Sequence, residues 1–194
     1  MDDKIQIDSN SGVAAAHIEK LTYYAPNPQQ IKNSVMANIL KAMLDQGSFS
    51  ENNENISLTP YDICAKIEYN HIVKYKELFD SCATYYSICY KIVNTLDNER
   101  VGSKQTILDS IHNKYLLIKG NFIKKYSNLG VSDKTIVQAH SDDILDAIFS
   151  FYNNEAQKYS VLSGYSYEEI ELNIQAFLTY CFIECKILER PQEG

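Results

Sequence analysis

Between residues 72 and 96 the apolar positions fall at Ile72, Tyr75, Phe79, Cys82, Tyr86, Cys89, Val93 and Leu96, in alternating steps of three and four. Such steps place one stripe along a helix, the a/d seam of a heptad pattern. A second row, Leu78, Tyr85, Ile88 and Ile92, widens the stripe into the face of a bundle helix. The polar turn Asp97-Asn98-Glu99-Arg100-Val101-Gly102 interrupts the pattern, and Ser103 can cap the next helix. The spacing then resumes as Leu108, Ile111, Tyr115, Ile118 and Phe122. Two heptad-patterned helices joined by a short turn are antiparallel neighbours, so residues 71–127 are predicted to form a long helical hairpin. At about 1.5 Å per residue its first arm is about 40 Å long.

Helix signals flank this hairpin. Asn27-Pro28 reads as an N-cap followed by a first-turn proline, opening a lone helix over 28–46. Its apolar positions are Ile31, Val35, Ile39 and Ala42, with Met43 and Leu44 beside them, and Gly47 ends it. The polar run 47–58 reads as a flexible linker. Thr59-Pro60 repeats the cap-plus-proline signal and opens the main bundle, 59–191, with a break near Asn70-His71. Ser132-Asp133 and Ser141-Asp142-Asp143 read as two further helix starts, the second with acidic residues suited to a helix N-terminus. Ile144, Leu145, Ile148, Phe149 and Tyr152 form the stripe after the second. Ser163-Gly164 breaks it, and Ser166-Tyr167-Glu168-Glu169 is a capping box. The helix it opens is predicted to run to Arg190, before Pro191. Its centre, 176–183, is apolar almost all round, which marks it as the central element of the bundle.

Residues 1–27 obey different rules. Lys4-Ile5-Gln6-Ile7-Asp8 alternates like a short strand, Ser9-Asn10-Ser11-Gly12 is turn-like, and 13–24 fits helix or period-two strand. Two strands alone are marginal. If they form, they would pair with another copy or another subunit, making Ile5, Ile7, Val13, Ile18, Leu21 and Tyr23 an oligomerisation arm, homo-oligomeric in the first case; the alternative is a disordered or loosely docked tail. The fold expected overall is all-α, a multi-helix bundle around the hairpin, with this short arm helical, disordered or β.

Composition narrows the function. The 194 residues are 45% hydrophobic and 22% charged, and the aromatics are 15 Tyr and 7 Phe with no Trp. Tyrosine can fill a core and also face a partner. The net charge of −7 repels polyanions, so contact with nucleic acid would need a local basic patch. The one basic stretch is 104–126, where Lys114, Lys119, Lys124 and Lys125 are the candidate contacts. Successive residues turn about 100° round a helix, so these lysines spiral, and a solvated face is the simpler reading. No apolar run approaches the ~20 residues of a membrane span. Five cysteines without C-x-x-C spacing, and a start without signal-peptide character, fit reduced core thiols in the cytoplasm.

Catalytic patterns do not emerge. Four histidines sit outside any zinc signature, and neither a phosphate loop nor a nucleophile elbow occurs. An Arg-x4-6-His ribonuclease pair of the HEPN kind is also missing, since no histidine comes after Arg100 until His112. His140 beside Asp142, Asp143 and Asp146 could form a site, but helix capping accounts for the first two aspartates. Cys181 and Cys185, four residues apart, could hold a metal with two outside ligands, though core packing explains them better. The expectation is therefore a protein without catalytic residues, metal or cofactor.

Three stretches together resemble a known family: Ala65–Lys76 (AKIEYNHIVKYK), Asp142–Ile148 (DDILDAI) and Cys185–Pro191 (CKILERP). They are similar to the helical C-terminal domains and small subunits of bacterial ABC-three-component, Lamassu-like conflict systems. There an SMC-like or ABC ATPase works with an effector and a small third subunit. The likeness would span about residues 60–191 and rests on amphipathic helix fragments of modest specificity. It implies a stand-alone adaptor subunit bound to an SMC-like ATPase and an effector, and it carries over no catalytic residue. A nuclease or protease domain often precedes the bundle in that family, whereas only some 60 residues do here.

Overall fold

The computed structural model describes residues 34–46 and 63–191. The N-terminal arm with Ile5, Ile7, Val13, Ile18, Leu21 and Tyr23, the Asn27-Pro28 start, the 47–58 linker and the Thr59-Pro60 start lie outside the described residues. Within them the chain is a helical bundle with no strand. Its α-helices are α1 (Val35–Asp45), α2 (Ile63–Tyr69), α3 (Lys76–Cys82), α4 (Tyr86–Glu99), α5 (Ser103–Tyr126), α6 (Asp133–Ala139), α7 (Ser141–Ala156) and α8 (Tyr167–Ile183).

The hairpin forms with one modification. Its first arm is α3 and α4 joined by a single 3-10 turn, Ala83–Tyr85. The tightened turn does not rotate the seam out of the core: Phe79, Cys82, Tyr86, Cys89 and Val93 are all buried. The arm begins at Lys76 rather than near residue 71, because α2 ends in a Schellman motif. The His71 N–H donates to the Glu68 carbonyl at 3.0 Å and the Ile72 N–H to that of Ile67 at 3.1 Å. His71 itself takes φ 54°, the left-handed conformation that such a cap requires. Gly102, at φ 88°, makes the reversal into α5, and the Asp97 carboxylate accepts from the Lys104 N–H at 2.9 Å. With 24 residues, α5 is about 36 Å long.

At the centre lies α8, packed against α1, α3, α4 and α7. Ile174, Phe177, Leu178, Tyr180, Cys181 and Phe182 are fully enclosed. The Phe79 and Phe182 rings stack with centroids 4.3 Å apart. The capping box forms, with the Glu169 N–H donating to Ser166 Oγ at 3.2 Å and the Ser166 N–H to the Glu169 carboxylate at 2.8 Å.

Three expectations need correction. First, α8 stops at Ile183 and does not continue to Arg190. A second Schellman motif ends it: the Cys185 N–H donates to the Phe182 carbonyl at 3.1 Å and the Lys186 N–H to that of Cys181 at 2.9 Å. Apolar Ile187 and Leu188 suited a continuing helix, but they are buried along a non-helical strap, 184–190, that folds back over the bundle. Second, α1 is not a lone helix. Met36, Ile39, Leu40 and Met43 belong to the same core as α4 and α8, so the buried stripe is rotated from the Val35/Ala42 line towards Met36 and Leu40. Third, Ser132 caps α6 through the Thr135 N–H at 3.2 Å, but Ser141 caps nothing. His140 holds the cap position of α7, and the Ser141 hydroxyl donates to the His71 carbonyl at 3.4 Å. None of the described helices is long and apolar enough to cross a membrane.

Candidate functional site

The densest polar chemistry lies where the strap 184–190 crosses α2 and α5. Lys66 on α2 and Asn70, one turn further on at the end of that helix, both have no exposed surface. A buried ammonium needs acceptors to replace water. Lys66 finds them at the C-terminal end of α8, where helix carbonyls carry partial negative charge. Its Nζ donates to the Phe182 carbonyl and, at 2.9 Å, to that of Ile187, and it lies 4.2 Å from the centre of the Phe182 ring. Burial still dominates, bringing the Lys66 pKa down from 10.5 to about 8 despite the thiol of Cys185 and the carboxylate of Glu189 nearby. Asn70 pairs with the strap as one strand would with another. Its amide donates to the Glu189 carbonyl at 2.9 Å and its Oδ1 accepts the Glu189 N–H at 3.0 Å.

From the other side α5 grips the same strap. The Tyr115 hydroxyl and Lys119 Nζ converge on one Glu189 oxygen, the latter at 2.5 Å. Burial alone would raise the Glu189 pKa, but these two donors outweigh it and hold the carboxyl below its usual range. His112 Nδ1 lies 3.1 Å from the Lys186 carbonyl, an arrangement that suits a protonated Nδ1. The Tyr86 hydroxyl donates to Glu184 at 2.6 Å. Every one of these partners is more than sixty residues away in sequence, and the strap is thereby fixed along its length. Sequence reasoning missed Lys66 and Asn70 as site residues, because a lysine in an amphipathic helix reads as solvent-facing and an asparagine at a helix break reads as a turn residue.

The predicted lysines do not form one patch. Lys119 is paired with Glu189, and Lys114 sits 3.6 Å above the centre of the Phe151 ring. Lys124 and Lys125 are exposed at the end of α5, the latter over Tyr126. The aspartates after His140 likewise diverge. Asp143 pairs with His140 at 2.8 Å, and the imidazole stacks on Tyr126 at 4.2 Å. Asp142 turns towards the α2–α3 connection, accepting the Val73 and Lys74 N–H groups at 3.1 and 3.0 Å. Asp146 takes Lys74 and the Tyr75 hydroxyl, and those donors hold its carboxyl below the usual range against the effect of burial. Asp142 and Asp146 therefore tie α7 to the start of α3, while Asp143 stays with its own helix. No group of three potential metal ligands occurs among the described residues. Cys89 and Cys181 lie fully buried, and burial pushes both thiols well above their ordinary pKa.

Two surface features remain. While Ile107, Leu108, Ile111 and Tyr115 fill the core, Leu116 and Leu117 on the same helix are 44% and 66% exposed. One turn on, a Cβ at Gly120 would meet no atom within 4 Å, so this face of α5 is open. On another side of α5, a groove of about 400 Å³ runs between the first turn of α1 and helices α5 and α7. Ile107 and Phe151 provide its apolar wall, with Ser110, Lys114, Tyr152 and Glu155 as polar points. Such a mixture suits recognition of another molecule's side chains. No family model, curated protein or solved structure matches this chain.

Proposed function

We propose that this chain is a non-catalytic protein–protein adaptor, a scaffold subunit of a bacterial anti-phage defence complex that links an effector to an ATPase or sensor. The observation that carries the adaptor reading is the outer face of α5, where Leu116 and Leu117 stand open on the longest of the described helices. Apolar side chains there lower the solubility of a lone chain and raise the affinity for a partner that covers them. The groove between α1, α5 and α7 offers a second recognition point, and the strap is clamped to α5 through Tyr115 and Lys119. The defence setting rests on the resemblance of residues 60–191 to the small subunits of ABC-three-component systems.

The test is purification of the chain from its native operon context, with identification of the proteins retained. An SMC-like ATPase and an effector should co-purify with the wild type. Leu117→Glu should release them while leaving the thermal midpoint within about 1 °C, since an exposed substitution away from special features changes stability little. A stable monomer that retains nothing would refute the adaptor reading. The alternative, a nucleic-acid sensor, draws on exposed Lys124 and Lys125 together with Lys114 and Lys119. It predicts salt-dependent binding of DNA or RNA that is lost when Lys124 and Lys125 become Glu; no binding at low salt would end it.

A further inference from the structure

Along the open ridge of α5, Asp109, Asn113, Leu116, Leu117, Gly120 and Lys124 are all exposed. These six positions are arranged symmetrically about the point midway between the two leucines. Asn113 and Gly120 lie three and a half residues to either side of it, and Asp109 and Lys124 seven and a half. At about 100° per residue, Asn113 and Gly120 sit within about 10° of one line along the helix, Asp109 and Lys124 within about 30°, and the leucines about 50° to either side. The positions therefore form a single stripe whose two halves differ in chemistry. One half carries an amide and a carboxylate; the other carries bare backbone and an ammonium. The Asp109 carboxylate accepts from Gln105 Nε2 at 2.7 Å and lies 3.9 Å from Lys186 Nζ, yet its side chain remains 51% exposed.

We propose that this stripe pairs with the same stripe of a second copy of the chain, the two α5 helices running antiparallel about a two-fold axis between Leu116 and Leu117. The proposal rests on the reading of this face as a docking surface and names its occupant. A two-fold contact requires a patch that complements itself, and the antiparallel arrangement supplies one. Leu116 meets Leu116 of the second copy on one side of the axis, and Leu117 meets Leu117 on the other. Four leucines thus leave water together. Asn113 stands over Gly120 of the second copy, and the reverse, so the missing side chain lets the helices approach to the near end of the usual spacing of about 8–10 Å. Further out, Asp109 and Lys124 face Lys124 and Asp109 of the second copy, within reach of a lysine side chain. Parallel pairing would instead set acid on acid and base on base, so charge selects the antiparallel form. A net charge of −7 opposes self-association through a face of one sign, but this stripe holds one acid and one base in each copy and is neutral.

The experiment is sedimentation equilibrium of the purified full chain over a concentration series. One pair of helices is smaller than a standard interface, so the dimer should form in the micromolar range. Leu117→Glu should weaken it by about tenfold or more, since two carboxylates would meet beside the axis. Asp109→Lys and Lys124→Asp should each weaken it several-fold by bringing like charges together. The double reversal should return to within about twofold of wild type, because each pair is rebuilt with its signs exchanged. A chain that stays monomeric through the micromolar range would overturn the proposal, as would a dimer that these changes leave intact. A double reversal no better than either single change would overturn the antiparallel register. The outcome is separable from that of the adaptor reading. A monomer that retains an ATPase and an effector from the native operon sinks the pairing alone, whereas a dimer that obeys the charge reversals and retains nothing upholds the pairing and sinks the adaptor.

Discussion

Replacing Lys66 by Met keeps an unbranched apolar stem in the core and removes only the amine. The Phe182 carbonyl retains a donor in the Cys185 N–H at 3.1 Å, but the Ile187 carbonyl loses its 2.9 Å partner within a closed site. An orphaned buried acceptor costs about 1–3 kcal/mol. The pH dependence is the sharper test. A base whose pKa is lower in the folded state contributes stability that is complete above the unfolded pKa and is lost as pH falls through the folded one. For Lys66 these limits are 10.5 and about 8. Over that window the unfolded chain binds the extra proton, so stability rises with pH. From about pH 7 to about pH 9 the gain is on the order of 1 kcal/mol, at about 1.4 kcal/mol per pH unit for one full proton. The tyrosine hydroxyls of Tyr86, Tyr115 and Tyr180 and the Cys89 and Cys181 thiols, all raised by burial, act in the opposite sense at high pH. They are common to both proteins and cancel in the difference. Urea unfolding of wild type and Lys66→Met across this range should therefore give a stability gap that widens as pH rises. Parallel curves would refute the view that Lys66 is a desolvated amine stationed among helix-end carbonyls.

Asn70→Ala removes both arms of the pairing with Glu189 and the bond to the Lys66 carbonyl, which should cost about 3 kcal/mol and speed amide exchange at Glu189 selectively. His71→Gly places glycine at the left-handed C′ position of α2, where relief of strain exceeds the added chain entropy. The unfolding midpoint should rise by an equivalent of about 0.5–1 kcal/mol, and a fall would mean that the His71 side chain makes an important contact. Ser166→Ala opens the capping box and should cost about 1 kcal/mol in denaturant unfolding, with exchange rising at the first turn of α8.

Several of these features were readable in advance because each depends on neighbours within a turn or two. The heptad row from Phe79 to Val93 predicts its own burial, since residues three and four apart share a face whatever the partner helix is. The same locality explains the Ser166/Glu169 box and the uniformly apolar centre of α8. A 3-10 turn at Ala83–Tyr85 leaves that reading intact because it shifts the seam by only a fraction of a turn. The clamp obeys no such rule. Its contacts join α2 to residues 116 to 121 positions away, for which periodicity supplies no signal.

What the sequence by itself determined is the class of the protein: helices in place of strands, which face of each is buried, and a hairpin as the organising unit. Only the tertiary structure decided the fate of the polar residues within those helices. Lys66 looks like a solvent-facing position until the strap closes over it, Asn70 like a residue of a helix break, and Cys185 like an ordinary helical residue until the chain reverses there. Apolar periodicity arises from local geometry, whereas satisfying a buried charge depends on which distant carbonyls the fold brings within about 3 Å of it.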